Sequence, residues 1–329
     1  MQFSVVLPTY NRAAELEQTL ASLATVKHPG SWEVIVVDNN SRDATPQVVA
    51  DAAAKFPTAL RYVLETKVGR SAAMNAGITA AKGEIIVNSD DDVRFEPDWL
   101  QQAGEALTLG QCDFVGGKVL PIWRGRRPAW LSDKGGQHWA VIALLDFGPE
   151  PLEFGKRHAP LGVNLAFKRG AFDRAGLWDP SLGRKAGTLL GQEVREWMLR
   201  ARDAGLKGMY APNMVVHHVI PADRLRKHYF RKWSYWHGVS RAILFQQHPI
   251  DMQAPEDTSL DFSKIRMIFG VPQYMYRSCL ESAVSMAKQR FKRQQVAAFE
   301  RELDLWFFLG VLRQRWKDRN KTVSTADSV

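Results

Sequence analysis

The stretch Gly83 to Val93 places the apolar residues Ile85, Ile86 and Val87 just ahead of three consecutive carboxylates, Asp90, Asp91 and Asp92. A run of β-branched residues reads as a strand. If the chain stays extended, Asp90 and Asp92 point the same way, because side chains alternate with period two. Like charges held that close repel unless a cation lies between them or one takes a proton, and hard divalent ions such as Mg²⁺ or Mn²⁺ favour oxygen ligands. A metal site at a strand end is one reading. The other is an acidic turn that caps the helix expected from about Phe95 to Leu100.

These carboxylates need elements to hold them, and the preceding sequence supplies alternating strands and helices. A strand over Phe3–Leu7 is expected to break at Pro8, and Asn11 is placed to cap a helix carrying Leu16, Leu20 and Leu23 at helical spacing. A second strand, Trp32–Val37, runs into the polar segment Asp38-Asn39-Asn40-Ser41-Arg42-Asp43. A helix to about Lys55, a strand near Leu60–Leu64 and a Gly69-led helix to Ala81 complete the series. The pattern predicts an α/β fold with a mostly parallel sheet flanked by helices, whose ligands bind outside the carboxyl ends of the strands. Asp38 lies at such an end, suited either to a ribose or base or to capping the next helix. Arg70, at the start of a helix rich in small residues, is placed to meet a phosphate. Neither a Gly-x-Gly-x-x-Gly nor a Gly-x-x-x-x-Gly-Lys-Ser/Thr loop is present, which argues against the dinucleotide and P-loop classes.

The chain of 329 residues is 45% hydrophobic, enough for a sizeable core and unlike a disordered protein. Its two cysteines, Cys112 and Cys279, lack neighbours at metal-ligand spacing, so neither a disulfide framework nor a zinc site is expected, and a cytoplasmic location is. No basic-then-apolar leader and no run of the roughly 18–20 apolar residues that span a bilayer is read. The 44 Lys and Arg exceed the 35 Asp and Glu by nine, a balance that invites anionic partners.

Three segments together, Val5-Val6-Leu7-Pro8-Thr9-Tyr10-Asn11, Val36–Asp43 and the triple Asp, resemble glycosyltransferase family 2. The likeness continues through Gly162–Arg169, similar to the acceptor-side strand, and Leu190–Trp197, where the acidic catalytic motif falls. It covers roughly residues 1–220. The resemblance implies a GT-A catalytic domain over 1–220, with a nucleotide-sugar half to about 110 and an acceptor half over about 111–220. It also implies a divalent metal, Mn²⁺ or Mg²⁺, a nucleotide-sugar donor expected to be a UDP-sugar, and transfer to an acceptor hydroxyl with inversion. Carried over by position, Asp38 contacts base or ribose, and Pro8, Thr9, Tyr10 and Asn11 share that pocket. Asp90 and Asp92 become the first and last residues of an Asp-x-Asp motif, with Asp91 beside the donor. Asp92, Asp90 and His218 are the implied metal ligands, His218 being chosen over His217 by its spacing to Pro221 and Arg224, and Asn164 lies on the acceptor side. The acidic motif departs from its relatives, with Val194 where an Asp often stands. Glu193 is therefore the expected base, with Glu196 as the alternative.

The segment Ile122–Leu131, with Trp123, Trp130 and several arginines, and the following Gly135–Trp139 suit a lid or acceptor loop, or equally a packed core. The basic loop Gly183–Thr188 is placed to close over the donor. Residues 221–329 form a helical basic and aromatic extension. Leu225, Tyr229, Trp233, Trp236 and Ile243, then Val296, Phe299, Leu303 and Trp306, follow helical stripes among Lys and Arg. They suggest peripheral contact with an anionic membrane at the cytoplasmic face, and so a lipid-linked or carbohydrate acceptor in surface polysaccharide or glycolipid synthesis. An irregular tail is expected from Thr322. Two other classes compete: a nucleotidyltransferase acting on sugar phosphates, which would want a glycine-rich basic loop after the first strand, and a non-catalytic membrane or nucleic-acid binder, which leaves the triple Asp unexplained. No nucleic-acid partner is expected.

Overall fold

A computed structural model describes residues 1–132, 138–155, 157–253 and 261–326. They divide into two compact units, one of residues 1–127, 131–186 and 193–222, the other of 128–130, 187–192 and 223 onward.

The first unit runs β1 (Phe3–Thr9), α1 (Ala13–Leu23), β2 (Trp32–Asp38), α2 (Thr45–Ala53), β3 (Ala59–Leu64), α3 (Arg70–Ala80), β4 (Ile85–Ser89), β5 (Val93–Phe95), α4 (Trp99–Leu109), β6 (Phe114–Arg124), β7 (Leu152–Glu153), β8 (Asn164–Lys168), α5 (Gly170–Ala175), α6 (Glu193–Asp203) and β9 (Gly208–Pro221). Among the described residues nine strands form one sheet in the order β3-β2-β1-β4-β8-β6-β9-β5, with β7 also on β9. The β3-β2-β1-β4 half is parallel, and β8 runs antiparallel to both its neighbours. β2 is buried along its whole length, as expected of an interior parallel strand covered on both faces. Leu16, Leu20 and Leu23 of α1 are buried as their spacing predicts. The small residues of α3 let it lie close on the sheet: a Cβ at Gly77 would strike the side chains of Val6 and Val37.

Two local expectations are corrected. β1 does not break at Pro8 but pairs with β2 as far as Thr9↔Asp38. In a parallel strand alternate residues bond to opposite neighbours. Thr9 bonds toward β2 through its carbonyl, so Pro8 faces β4, beyond the last pair, Val6↔Asn88, where no donor is required. Asn11 does not cap α1. It takes a left-handed φ of 52°, and the first N–H of α1, at Ala13, is instead capped by the Asp43 carboxylate at 2.9 Å.

Between β6 and β9 the register jumps from Gly117↔Ala211 to Lys118↔Val215, a bulge that leaves Pro212, Asn213 and Met214 unpaired with β6. Asn164 fills it. Its amide donates to the carbonyls of Lys118 at 2.9 Å and Met214 at 2.8 Å, and its Oδ1 accepts from Trp99 Nε1 at 2.9 Å.

The second unit contains α7 (Lys227–Gln247), β10 (Met267–Ile268), β11 (Val271–Pro272), α8 (Gln273–Phe291) and α9 (Gln295–Ala326). α7 and α9 pack where glycines meet backbone: a Cβ at Gly238 would collide with the Phe307 carbonyl, and one at Gly310 with that of Tyr235. This packing covers much of the α7 stripe and half of the α9 stripe that the sequence offered as membrane faces, while Val296 and Trp306 of α9 stay exposed. Phe230, Ser234 and the run Gly238–Ala242 of α7 are buried, and Trp233 and Trp236 are half-buried. Phe299, Leu303 and Val311 of α9 are buried as well. Helical spacing marks an apolar face but not what covers it. α9 also continues to Ala326 where an irregular tail was expected, and 327–329 lie outside the described residues. No described helix is long and apolar enough to cross a membrane.

Candidate active site

The carboxyl ends of β1, β2 and β4 gather the expected donor residues. β4 ends at Ser89 and the chain turns through Asp91 and Asp92 before β5, so the period-two expectation fails and Asp90 parts from Asp91 and Asp92. Asp91 accepts from Thr9 Oγ1 at 2.7 Å and pairs with Arg12 at 2.6 Å. Asp92 takes the other arm of Arg12 at 2.9 Å. Asp90 pairs with Arg70 at 2.7 Å. Among the described residues no three His, Cys, Asp or Glu side chains are gathered as a metal cluster, and Asp90 lies with Arg70 while Asp92 lies with His218.

Asp92 and His218 do meet, with His218 Nε2 at 3.3 Å from Asp92 Oδ1 and both side chains buried. The antiparallel β5–β9 pairing makes this possible, since it sets His218 opposite Val93, and the neighbouring Val219 donates to the Asp92 carbonyl at 2.9 Å. His218 Nδ1 lies 3.0 Å from the carbonyl of Ile142. A carbonyl only accepts, so Nδ1 carries a proton and Nε2 is left facing the carboxylate. An imidazole nitrogen and a carboxylate oxygen side by side suit Mn²⁺ better than Mg²⁺.

Burial holds Asp91 above the ordinary carboxylate range, helped by Asp92 and Asp90 and opposed by Arg12 and Thr9. Burial alone would weaken the charges of Arg12 and Arg70, but the carboxylates against them outweigh it and both are raised. Nucleotide-side residues are tied in the same way. Asp38 accepts from Ser41 N–H and Tyr62 Oη, both at 2.8 Å. The Tyr62 phenol is pushed up to about 12 by burial and by Asp38, so it stays a donor. Asn11 accepts from Arg42 N–H at 2.7 Å and donates its own N–H to Ser41 Oγ at 2.8 Å, joining the Thr9–Asn11 segment to the Asp38 loop; Tyr10 is exposed.

On the acceptor side, Glu193 opens α6 after Gln192, whose φ is 78°. Arg70 reaches Glu193 at 3.3 Å and the Gly162 carbonyl at 3.0 Å while holding Asp90. It thus spans the two halves of the site. Glu196 is spent differently: both its oxygens take Arg200, at 2.6 and 2.7 Å. Asn164 spends both amide hydrogens in the bulge, and Arg70 at the start of α3 lies against two carboxylates and a carbonyl. Its own N–H donates to the Arg184 carbonyl at 2.8 Å and Ser71 Oγ to that of Leu182 at 2.9 Å, which ties the start of the basic loop to α3. Trp123 belongs to β6, opposite Ile220, while Trp130 packs in the second unit against Phe230 and Phe299, with ring centroids 4.8 and 5.3 Å away. Of the segment after it, Gly135–Gln137 lie outside the described residues.

Residues 4–176, just over half of the chain, match the model of glycosyl transferase family 2. The chain belongs to glycosyl transferase family 2. A glucosyl-dolichyl phosphate glucuronosyltransferase of Haloferax volcanii is 24% identical over 279 residues, which cover 82% of this chain and 85% of that protein. An undecaprenyl-phosphate 4-deoxy-4-formamido-L-arabinose transferase of Aeromonas hydrophila is 30% identical over 155 residues, 44% of this chain and 46% of that one. The solved structure of mannosyltransferase PcManGT from Pyrobaculum calidifontis, in complex with GDP-Man and Mn²⁺, matches with a TM-score of 0.60 at 18% identity, over 96% of this chain and 87% of that one. The fold is GT-A and the protein is a glycosyltransferase.

In this family 2 chain the residues that sequence reasoning passed over are Arg12, the Ile142 carbonyl and the bulge role of Asn164. Arg12 had a signal, since it directly follows the Pro8–Asn11 segment at the end of β1. The other two had none, because both depend on strands far apart in sequence.

Proposed function

We propose that this glycosyltransferase is metal-dependent and inverting, moving a sugar from a nucleoside-diphosphate donor, expected to be a UDP-sugar, to a hydroxyl of a lipid-linked acceptor. The observation that carries the reading is the buried Asp92–His218 pair, joined through the same acidic turn and Arg70 to Glu193. Asp92 and His218 would hold Mn²⁺, and Mn²⁺ in the PcManGT complex supports that choice. The metal, when bound, neutralises the charge of the departing diphosphate. Glu193 takes the proton from the acceptor hydroxyl as it attacks the anomeric carbon. Arg70, 3.3 Å from Glu193, orients its carboxylate. Glu196 is the poorer base because Arg200 occupies both its oxygens. Residues 1–220 form the catalytic domain in this reading and 221–329 an extension. A lipid-linked acceptor is supported by relatives whose names specify dolichyl or undecaprenyl phosphate.

Calorimetric titration of UDP and of GDP, with Mn²⁺ and then with EDTA, tests the donor site. Binding of one nucleotide that requires Mn²⁺ and is lost in Asp92→Asn is expected. Binding of neither nucleotide in the presence of Mn²⁺ would refute the reading.

A further inference from the structure

With α7 central and much of α9 packed on it, α8 turns a continuous apolar stripe outward, while α9 also exposes Trp306, Leu309 and Trp316. Leu280 is 66%, Val284 61% and Phe291 90% exposed. At 100° per residue these three fall within about 40° of one another, so they form one row along the helix. Arg277 and Lys288 border the row on one side and Arg290 on the other, while Lys292 and Arg293 follow Phe291 at the tip of the α8–α9 hairpin, all of them exposed. Two of these charges are answered within the unit, Arg277 by Glu281 at 2.9 Å and Arg290 by Glu302 at 3.2 Å. The surplus of Lys288, Lys292 and Arg293 sits beside the most exposed aromatic side chain. The opposite face of α8, with Met275 and Ser282, is buried, and Ser282 Oγ donates to Asp304 of α9 at 2.9 Å, which fixes the direction in which the stripe looks.

We infer that the Leu280–Val284–Phe291 face of α8 and its basic tip form a docking surface for an anionic lipid bilayer. An apolar row costs free energy in water and gains it at the acyl boundary, and the cations beside it are drawn to negative headgroups. Charge complementarity selects this occupant over a second copy of the chain, because the same basic tip on a partner would repel it. The surface extends the lipid-acceptor reading of the active site, yet its binding needs neither donor nor turnover, so the two stand or fall separately.

The test is co-sedimentation of the full chain with phosphatidylcholine vesicles, with and without phosphatidylglycerol. Binding is expected to need the anionic lipid. The variant Leu280→Ser/Val284→Ser/Phe291→Ser should bind roughly 10²-fold more weakly, and Lys288→Glu/Lys292→Glu roughly fivefold more weakly per charge removed. Both variants should melt like the parent and keep nucleotide binding, since every substituted side chain is exposed. Wild-type binding that is equal on neutral vesicles or absent, or unchanged binding by the triple variant, would overturn the inference. So would a wild-type dimer in sedimentation velocity that the triple variant turns into a monomer.

Discussion

Replacing Glu193 with Gln keeps the shape of the side chain and removes its basicity. Arg70 loses one ion-pair partner at 3.3 Å but retains Asp90 and the Gly162 carbonyl, and the new amide oxygen still accepts, so folding stability should fall by no more than about 1 kcal/mol. Turnover should fall about 10²- to 10⁴-fold, the usual contribution of a general base, with Mn²⁺-dependent nucleotide affinity unchanged. Glu196→Gln is the matched control and behaves in the opposite way. It breaks a two-pronged pair with Arg200, which also donates to the carbonyls of Ala175 and Leu177. The carboxylate is 5% and Arg200 28% exposed. Partial solvation of the guanidinium brings the loss to about 2 kcal/mol, or about 4–8 °C in melting temperature, with little change in turnover per folded molecule. The assay is release of nucleoside diphosphate from UDP- and GDP-sugars in the presence of a polyprenyl-phosphate-linked acceptor, beside thermal melting and nucleotide titration of each variant. Full turnover in Glu193→Gln, together with an inactive but thermally normal Glu196→Gln, would refute the assignment.

Asn164→Ala should destabilise the protein by about 3 kcal/mol, because the buried Trp99 Nε1–H and the Lys118 and Met214 carbonyls lose their partner. Melting measures that loss, and nucleotide binding that needs more Mn²⁺ would report the shifted β9 register. Gly310→Ala drives a methyl into the Tyr235 carbonyl, backbone that cannot step aside, and should cost about 3 kcal/mol, seen as early proteolysis of the α7–α9 pair. Burial would raise the pKa of Glu33, but Arg61, Ser4 and the Lys82 N–H hold it below the ordinary carboxylate value. The stability this confers is full above the unfolded-state value near about 4.3 and is lost as pH falls through the lower folded value. Denaturant unfolding should therefore separate Glu33→Gln from the parent at neutral pH, with the gap closing below about pH 4; a gap that widens on acidification would refute this.

Much of the first hundred residues is legible in the sequence alone, because a strand buried on both faces and a helix buried on one each leave their own period in the chain. Apolar runs place β1, β2, β3 and β4, leucine spacing places α1, and small residues announce the close seat of α3. The order of motifs also places Asp38 and the acidic turn at the carboxyl ends of strands and Glu193 at the start of a helix. Tertiary structure decides the rest. Period two cannot show that β4 stops at Ser89, and that stop sends Asp90 to Arg70 and Asp92 to Arg12 and His218. Nothing local in Asn164 announces a bulge between β6 and β9, and nothing local in β5 announces that its pairing with β9 brings His218 to Asp92 across more than a hundred residues. In the helical unit the spacing of apolar residues marks faces on α7 and α9 but cannot tell a face covered by another helix from one left open. Only packing, settled by Gly238 and Gly310, buries much of those faces and leaves the α8 row and Trp306, Leu309 and Trp316 of α9 exposed, because burial is a property of pairs of surfaces and a single stretch of sequence describes one surface at a time.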